Sequence, residues 1–574
     1  MSACVAGVLA FVGTCGAAPG ADKADLILHN GKVVTVDRDF SIGQALAVKG
    51  DHLLSVGSDA DVLKTKGPKT TLIDLKGKMV LPGLIDSHTH PTGASMTEFD
   101  HPVPQMDTIQ DVLDYVQSRA KVLGAGNWVV VRQVFITRLK EQRYPTRDEL
   151  DKAAPDNPVL FSTGPDASLN SLALKLSGID KDFQPEGPGK VETDPKTGEP
   201  TGILRNLTRY VKAKSSERKA SDQDQDRRLL ELFHDYNSVG ITAIIDRNAG
   251  DSSIKRYERL LEADALTVRL GLSHAVGNLG PIDALVAAIH KVAEHPLRHG
   301  GPMLRIVGIK TFLDGGMLTG SAYMRKPWGV SKIYSIDDPE YRGVLFIPKE
   351  RLVPMVKAAV ESGLQFTAHS VGDGAVHTLL DAYEEVNKTI PVAPTRPCIT
   401  HSNFMSREAI DQAARLGVLI DIQPDWLYLD TRTLAAQFGY DRLRYFQPLH
   451  SLFEAGVIIG GGSDHMQKIG SLRSINQYNP FLGMWVAISR RAKDYEGQLH
   501  PEEALTRAQA IQFYTINNAH FLFLEDKIGS LEAGKQADFV VIDRDLLTCP
   551  ELEIRDTQAL ATYLDGKRVF GSND

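Results

Sequence analysis

The sequence predicts a (β/α)8 TIM-like barrel of the α/β class, with a small β-sandwich built from both termini and a large insert after the first barrel strand. Three observations lead there. The middle of the chain alternates eight short apolar runs with amphipathic helical stretches, both ends read as short strands joined by tight turns, and metal-binding residue types fall at the ends of several apolar runs. Eight such runs, covered on both faces by helices, are the signature of a parallel barrel.

At the N-terminus, 3–12 is an apolar run followed by small residues. Its length suits a signal-peptide core and is too short to span a bilayer. Residues 1–21 are therefore expected to be a signal or lipoprotein segment. That implies export to the periplasm, with Cys15 as the lipid-attachment point if it is anchored, or a cytoplasmic protein if the segment is no signal. No other stretch reads as a transmembrane segment. From Asp25 onward short strands follow at 26–29, 32–36, 45–49, 52–57 and 71–74, separated by turns such as Asn30-Gly31 and Lys49-Gly50-Asp51. Glycine in such turns supplies backbone conformations that other residues resist. The same style returns at 539–543 and 561–570, where Asp565-Gly566 marks a hairpin, so 24–81 and 526–574 are expected to form one sandwich.

The barrel is assigned to 82–91 and 235–525. Its strands are expected at 79–85, 241–246, 268–273, 304–312, 364–369, 398–401, 418–423 and 457–460, with helices at 349–362, 373–387 and 406–416 between later ones. About 145 residues separate the first two strands, far beyond an ordinary connection. Residues 92–234 are read as an inserted lid, with a helix at 108–122, a strand at 128–135 and a Pro/Gly-rich stretch at 184–202. The mixed-charge run 215–228 is expected to be a solvated helix face.

Bulk properties narrow the function. The 574 residues are 42% hydrophobic and 24% charged, as in a soluble globular protein. A formal net charge of −8 offers no basic field for nucleic acid. Four cysteines, Cys4, Cys15, Cys398 and Cys549, are too scattered for a disulfide framework or a thiolate zinc site. The expected partner is a small-molecule substrate, and a homodimer is compatible with the sequence.

His88-Thr89-His90 closes the first strand, where alternate residues share a face, so Asp86, His88 and His90 can all point into the barrel. Lys310 lies in the fourth strand, His369 closes the fifth, His401 closes the sixth, and Asp464 follows the eighth through Gly460-Gly461-Gly462-Ser463. A parallel barrel gathers these strand ends at one mouth. Four histidines and a carboxylate suit zinc or another borderline divalent ion. Lys310 fits in one of two ways: as a carbon dioxide-derived carbamate bridging two ions, or as an ammonium paired with Asp314. Asp86 is placed to orient a ligand histidine from behind. Trp426 and Tyr428, two apart after the seventh strand, would share a face and wall a substrate pocket, and Arg247 would bind a substrate carboxylate or form an ion pair.

These residues, in this order, resemble the binuclear centre of the amidohydrolase superfamily. Gly83-Leu84-Ile85-Asp86-Ser87-His88-Thr89-His90 and Ile528-Gly529-Ser530-Leu531-Glu532-Ala533-Gly534-Lys535-Gln536-Ala537-Asp538 are similar to its landmarks. Pro145-Thr146-Arg147-Asp148-Glu149-Leu150, Asn170-Ser171-Leu172-Ala173-Leu174 and His369-Ser370-Val371-Gly372-Asp373 resemble the amidohydrolase-3 branch that includes N-substituted formamide deformylases. The resemblance implies two divalent ions, zinc expected, one held by His88 and His90 and one by His369 and His401, with carboxylated Lys310 between them. It further implies a metal-activated hydroxide attacking a carbonyl, Asp464 shuttling the proton, and cleavage of a non-peptide C–N bond in an amide, N-formyl or N-acyl compound. Three departures bear on substrate and surroundings: Asp166-Ala167-Ser168 stands where the branch has Asp-Gly-His, Gly320-Ser321 where it has Arg-Thr, and Thr400 where it has glutamate. Two other classes remain open, a metal-dependent isomerase or lyase using the same site and a catalytically silent binding protein.

Overall fold

The computed structural model describes residues 23–132, 134–214 and 218–572. The apolar run 3–12 and Cys15 lie outside the described residues. The middle of the chain forms an eight-stranded sheet, hydrogen-bonded in chain order. Its strands are β1 (Leu84–Thr89), β2 (Ile241–Ala249), β3 (Arg269–Ala275), β4 (Leu304–Phe312), β5 (Gln365–Ser370), β6 (Cys398–His401), β7 (Leu419–Ile422) and β8 (Ile459–Gly461). Every neighbouring pair is parallel. β8 meets β1 through backbone bonds beyond its own last residue: Asp464 N–H donates to His88 O and His90 N–H to His465 O, both at 2.8 Å. The sheet thereby closes into a barrel.

Local chemistry sets the covering helices. Arg407–Leu416 starts where the Ser406 side chain accepts the Ala409 N–H, and ends where Gly417 adopts φ 66°. A hydroxyl satisfies a free N–H at a helix start, and glycine takes the left-handed turn at its end without a Cβ clash. Asp373–Asn387 buries Val376, Leu379, Leu380 and Tyr383, an i, i+3, i+4, i+7 pattern that lays one face on the barrel.

The stretch 79–85, read as one strand from sequence, is two. Met79–Pro82 belongs to a terminal sheet, and β1 begins at Leu84. Pro82 has no N–H to donate to a continuing ladder. A Cβ on Gly83 would lie 2.1 Å from Thr242 Oγ1, so the chain turns between the two sheets where only glycine fits.

Two further sheets are built at the ends of the chain. One orders His52–Gly57, Ala45–Lys49, Leu26–His29 and Thr71–Asp74; the other orders Lys567–Gly571, Ala559–Leu564, Phe539–Ile542, Met79–Pro82, Lys32–Val34 and Ile42–Gly43. Phe539–Ile542 runs antiparallel to Met79–Pro82, so residues more than 450 apart share one ladder. Leu28, Val33, Val80, Phe539 and Tyr563 form a common apolar core.

Between β1 and β2 lies a five-stranded sheet of Lys190–Thr193, Pro200–Arg205, Ala167–Leu169, Val159–Ser162 and Val129–Arg132. The helix Ile109–Leu123 beside it opens with a reciprocal Thr108–Asp111 cap. This segment reaches the helix Pro424–Phe438 and the loop after β4 at the C-terminal end of the barrel. Thr137 Oγ1 donates to Asp430 Oδ1 at 2.8 Å, Arg138 pairs with Asp430 at 2.9 Å, and Ser321 Oγ donates to Asp166 at 2.6 Å. The later part of the mixed-charge run enters the helix Asp222–Ser238, which buries Leu229, Leu232, Phe233 and Tyr236.

Candidate metal centre

β1 delivers His88 and His90 to the barrel mouth, and the turn after β8 delivers Asp464. A Cβ on Gly462 would lie 2.9 Å from the His88 N, so glycine is what lets this turn pass under β1. Asp86 ties the two together, its Oδ1 accepting the N–H of His88 at 2.9 Å and of Ser463 at 3.1 Å. The Asp464 backbone has φ 54°, His401 has φ 80° and Ser402 has φ 46°. A side-chain-bearing residue in this region costs about 1–3 kcal/mol and persists only where its surroundings hold it, a pattern that clusters at functional sites. For Asp464 the restraint includes its neighbour His465, whose ring bonds Tyr236 Oη at 2.7 Å and the Lys468 carbonyl at 2.7 Å.

His88 Nε2, His90 Nε2 and Asp464 Oδ1 stand 3.1–3.3 Å from one another. A tetrahedral zinc with bonds of about 2.0–2.1 Å separates its donors by roughly 3.4 Å. The three atoms thus already have the spacing of one face of such a site. His88 Nδ1 lies 3.2 Å from Asp421 Oδ1, an oxygen that only accepts, so Nδ1 carries the proton and Nε2 presents its lone pair. His90 Nε2 at 3.2 Å and Asp464 Oδ1 at 3.3 Å complete a set of donor atoms around that lone pair into which a cation would fit.

The second pair of histidines lies alongside. The His369 and His401 rings are 4.5 Å apart and edge-on, and His401 stacks 5.0 Å from His88. His401 Nδ1 bonds Gln423 Oε1 at 2.7 Å, which turns its Nε2 toward the mouth. Burial pushes the imidazoles of His88 and His401 well below the ordinary histidine range and that of His369 to about 3, with the neighbouring cationic Lys310 adding to each shift. Neutral imidazoles are what a metal binds.

Lys310 sits among these rings, fully buried, its Nζ 5.0 Å from the Phe312 ring centroid. Its side chain makes no ion pair or hydrogen bond among the described residues. Burial pulls its ammonium down to about 8, against the opposing pull of Asp421 and Asp464. The alternative pairing with Asp314 is not formed: Asp314 accepts the N–H groups of Tyr323, Val371 and Gly372 at 2.9–3.0 Å.

Other expected residues lie elsewhere or act otherwise. Asp86 holds the His88 backbone rather than its ring. β7 stops at Ile422, and Pro424–Phe438 is a helix, so Trp426 and Tyr428 do not share a face. Trp426 stacks 4.7 Å from His401, whereas Tyr428 turns to Trp485 at 5.8 Å. Arg247 is completely buried beneath the mouth and pairs with Asp421 at 3.1 Å, out of reach of any substrate. Asp421 is the residue the sequence reading missed. It touches His88, Arg247, Thr400 and Gln423 at 3.0–3.2 Å. A carboxylate inside the apolar run Val418-Leu419-Ile420-Asp421-Ile422 was the available signal.

The departures have structural roles here. Thr400 Oγ1 donates to Asp421, Ser321 joins Asp166 across the insert, and Ser168 Oγ donates to the Pro145 carbonyl at 2.8 Å. The Ser321–Asp166 bond braces the insert against the loop after β4, and the Ser168–Pro145 bond ties the insert to itself.

A histidine–carboxylate cluster at the C-terminal mouth of a parallel barrel defines a class, the metal-dependent barrel enzymes. Within that class the chain belongs to the amidohydrolase family, whose profile matches residues 71–570. It is 30% identical to an N-substituted formamide deformylase of Arthrobacter pascens, over 94% of this chain and 97% of that one. In fold it is similar to an uncharacterized metal-dependent hydrolase from Pyrococcus furiosus, with a TM-score of 0.64 and 22% identity over 91% of this chain and all of that one. The zinc-complexed atrazine chlorohydrolase TrzN of Arthrobacter aurescens TC1 aligns with a TM-score of 0.51 and 16% identity over 96% of each chain.

Proposed function

We propose that this protein hydrolyses a non-peptide carbon–nitrogen bond of a small molecule, an N-formyl or other N-acyl amide, using two divalent ions at the barrel mouth. Zinc is the expected ion. His88 and His90 would hold one ion, His369 and His401 the other, with Lys310 between them as a carbamate and Asp464 beside the first. The observation that carries this reading is the triangle of His88, His90 and Asp464, whose donor atoms all fall within 4.8 Å of one another. Bound there, such ions supply Lewis acidity toward a carbonyl and make water acidic near neutral pH.

The chain itself supplies proton handling and geometry. Asp464 is the carboxylate positioned to accept the proton of the attacking water and return it to the departing nitrogen, which then leaves as a neutral amine. Asp421 and Gln423 fix the tautomers of His88 and His401. Trp426 backs His401 and limits the space beside it. The insert, bonded to the loop after β4 and the helix after β7, acts as a lid that keeps bulk water out during turnover. Export to the periplasm belongs to the same proposal and rests on the apolar run 3–12.

The experiment is a comparison of N-substituted formamides, N-acetyl analogues, cyclic amides and lactones with metal-loaded protein, alongside metal analysis of the active fraction. Expected are up to two zinc ions per chain, release of formate or another acid with a free amine, and loss of activity on chelation. Active protein holding less than one ion would refute the two-ion reading. Turnover of lactones alone would refute the amide.

A further inference from the structure

Apart from the metal centre, a cavity of about 480 Å³ opens between the insert and the loops at the barrel mouth. Met106 and Phe135 of the insert, Leu429 of the helix after β7 and Ile475 of the loop after β8 give it an apolar wall. Five cationic side chains face it against two carboxylates, Asp107 and Asp494, in a chain of net charge −8. Two of the cations are already engaged, Arg138 with Asp430 at 2.9 Å and Arg473 with Glu98 at 3.1 Å. Asp107 accepts from Gln105 at 2.9 Å. The remaining three cations, Arg432, Lys468 and Lys493, make no ion pair and donate no side-chain hydrogen bond among the described residues. Lys468 is partly buried, and burial lowers its ammonium from the ordinary lysine range. Burial outweighs the opposing pull of Glu98, and a bound anion would return part of that desolvation cost.

The cavity stands one layer of side chains from the metal ligands. Arg138 donates to Asn476 Oδ1 at 3.2 Å, and Asn476 Nδ2 donates to the Asp464 carbonyl at 2.8 Å. No metal ligand lines it. The geometry points to this cavity as a binding site for a small organic carboxylate, its anionic head between Arg432, Lys468 and Lys493 and its apolar body against Met106, Phe135 and Leu429. An inorganic anion would leave the apolar wall unused. The carboxylate could belong to a distant end of the substrate or to a separate molecule; the head group and body required are the same.

Calorimetric titration of the full, metal-loaded protein with 4-phenylbutyrate and with 4-phenylbutyramide tests the site without reference to turnover. The acid should bind at least ~10-fold tighter than the uncharged amide of the same body, with the preference shrinking as salt rises. The double variant Arg432→Gln/Lys493→Gln should lose that preference while melting as the parent does. Lys493→Gln alone, at an exposed position, should lose part of it, and Arg473→Gln, whose partner is Glu98, should keep most. Competition against a turned-over amide would mark the anion as the substrate's own tail, and binding alongside it would mark a separate molecule. Equal binding of acid and amide, equally tight binding of inorganic phosphate, or a preference that survives the double variant would each overturn the assignment, the last by placing the acid on the metals. None of these results bears on metal content, so the proposed hydrolysis stands or falls separately.

Discussion

The floor and the mouth of this barrel, adjacent layers of the same eight strands, treat buried charge in opposite ways. In the floor Arg247 is held directly by Asp421 at 3.1 Å, Gln365 at 2.8 Å, Ser273 at 3.2 Å and the Ser87 carbonyl at 3.0 Å. At the mouth the Lys310 ammonium makes no ion pair or hydrogen bond among the described residues and feels Asp421 and Asp464 only at longer range, while His88, His90 and Asp464 crowd their donor atoms together. A buried charge without a partner is costly, so a layer built that way is stable only with something bound in it. Asp421 belongs to both layers, holding Arg247 below and the His88 ring above. The comparison teaches that direct pairing of the buried cation, more than burial alone, separates the structural layer from the functional one.

The sharpest way to break this contrast is at Lys310. Lys310→Ala should lose bound metal and activity together, to below detection, with partial recovery of both in formate or acetate if the lysine works as a carbamate bridge. Zinc analysis and turnover with and without the acid decide it; a variant that keeps its metal would place Lys310 with the floor residues. Next comes Asp464→Asn, which keeps the side chain's size but not its basicity. Turnover should fall at least ~10²-fold, the low end for losing general acid–base catalysis, while zinc is largely retained.

Asp421→Ala probes the residue shared by the layers. Metal affinity should fall roughly 10- to 100-fold, as for other lost partners of a ligand histidine. Stability should fall by about 3–5 kcal/mol because Arg247 is left buried and unpaired. Loss of one effect without the other would mean that Asp421 serves a single layer. The smallest effect is expected at the far end of the barrel, where Glu525 pairs with Arg396 at 2.6 Å. Burial works to raise the Glu525 carboxyl, but hydrogen bonds from His520 and Arg396 outweigh it and hold the group at about 2, below its ordinary 4.5. Its contribution to stability is therefore complete above about pH 4.5 and disappears as pH falls toward 2. In Glu525→Gln, melting curves should lose that part of their acid dependence, with metal binding and turnover unchanged at neutral pH.

The sequence made strand ends legible because apolar runs stop where the chemistry begins: His88, His369, His401 and Asp464 each stand at or just beyond such a stop. The floor was hidden for the same reason. Arg247 and Asp421 lie within strands, and one-dimensional reading cannot show that an arginine in β2 meets an aspartate in β7. Trp426 and Tyr428 were misread by extending the strand past Ile422, although Pro424 is well suited to open a helix. The break at Pro82-Gly83 was also visible, but the apolar run continues across it and masks the change of sheet.

The joining of β8 to β1 has a consequence for the order in which the protein matures. Asp86 and His88 are made early, while Ser463 and Asp464, which they hold, are made some 377 residues later. Bringing such distant segments together is slow and unfavourable until the intervening strands are docked. A nascent chain therefore carries His88 and His90 without the third donor, and acquires it in the same event that shuts the barrel. Metal capture by all three donors is thereby coupled to closure of the barrel, so that tight binding by this triad reports a barrel already shut.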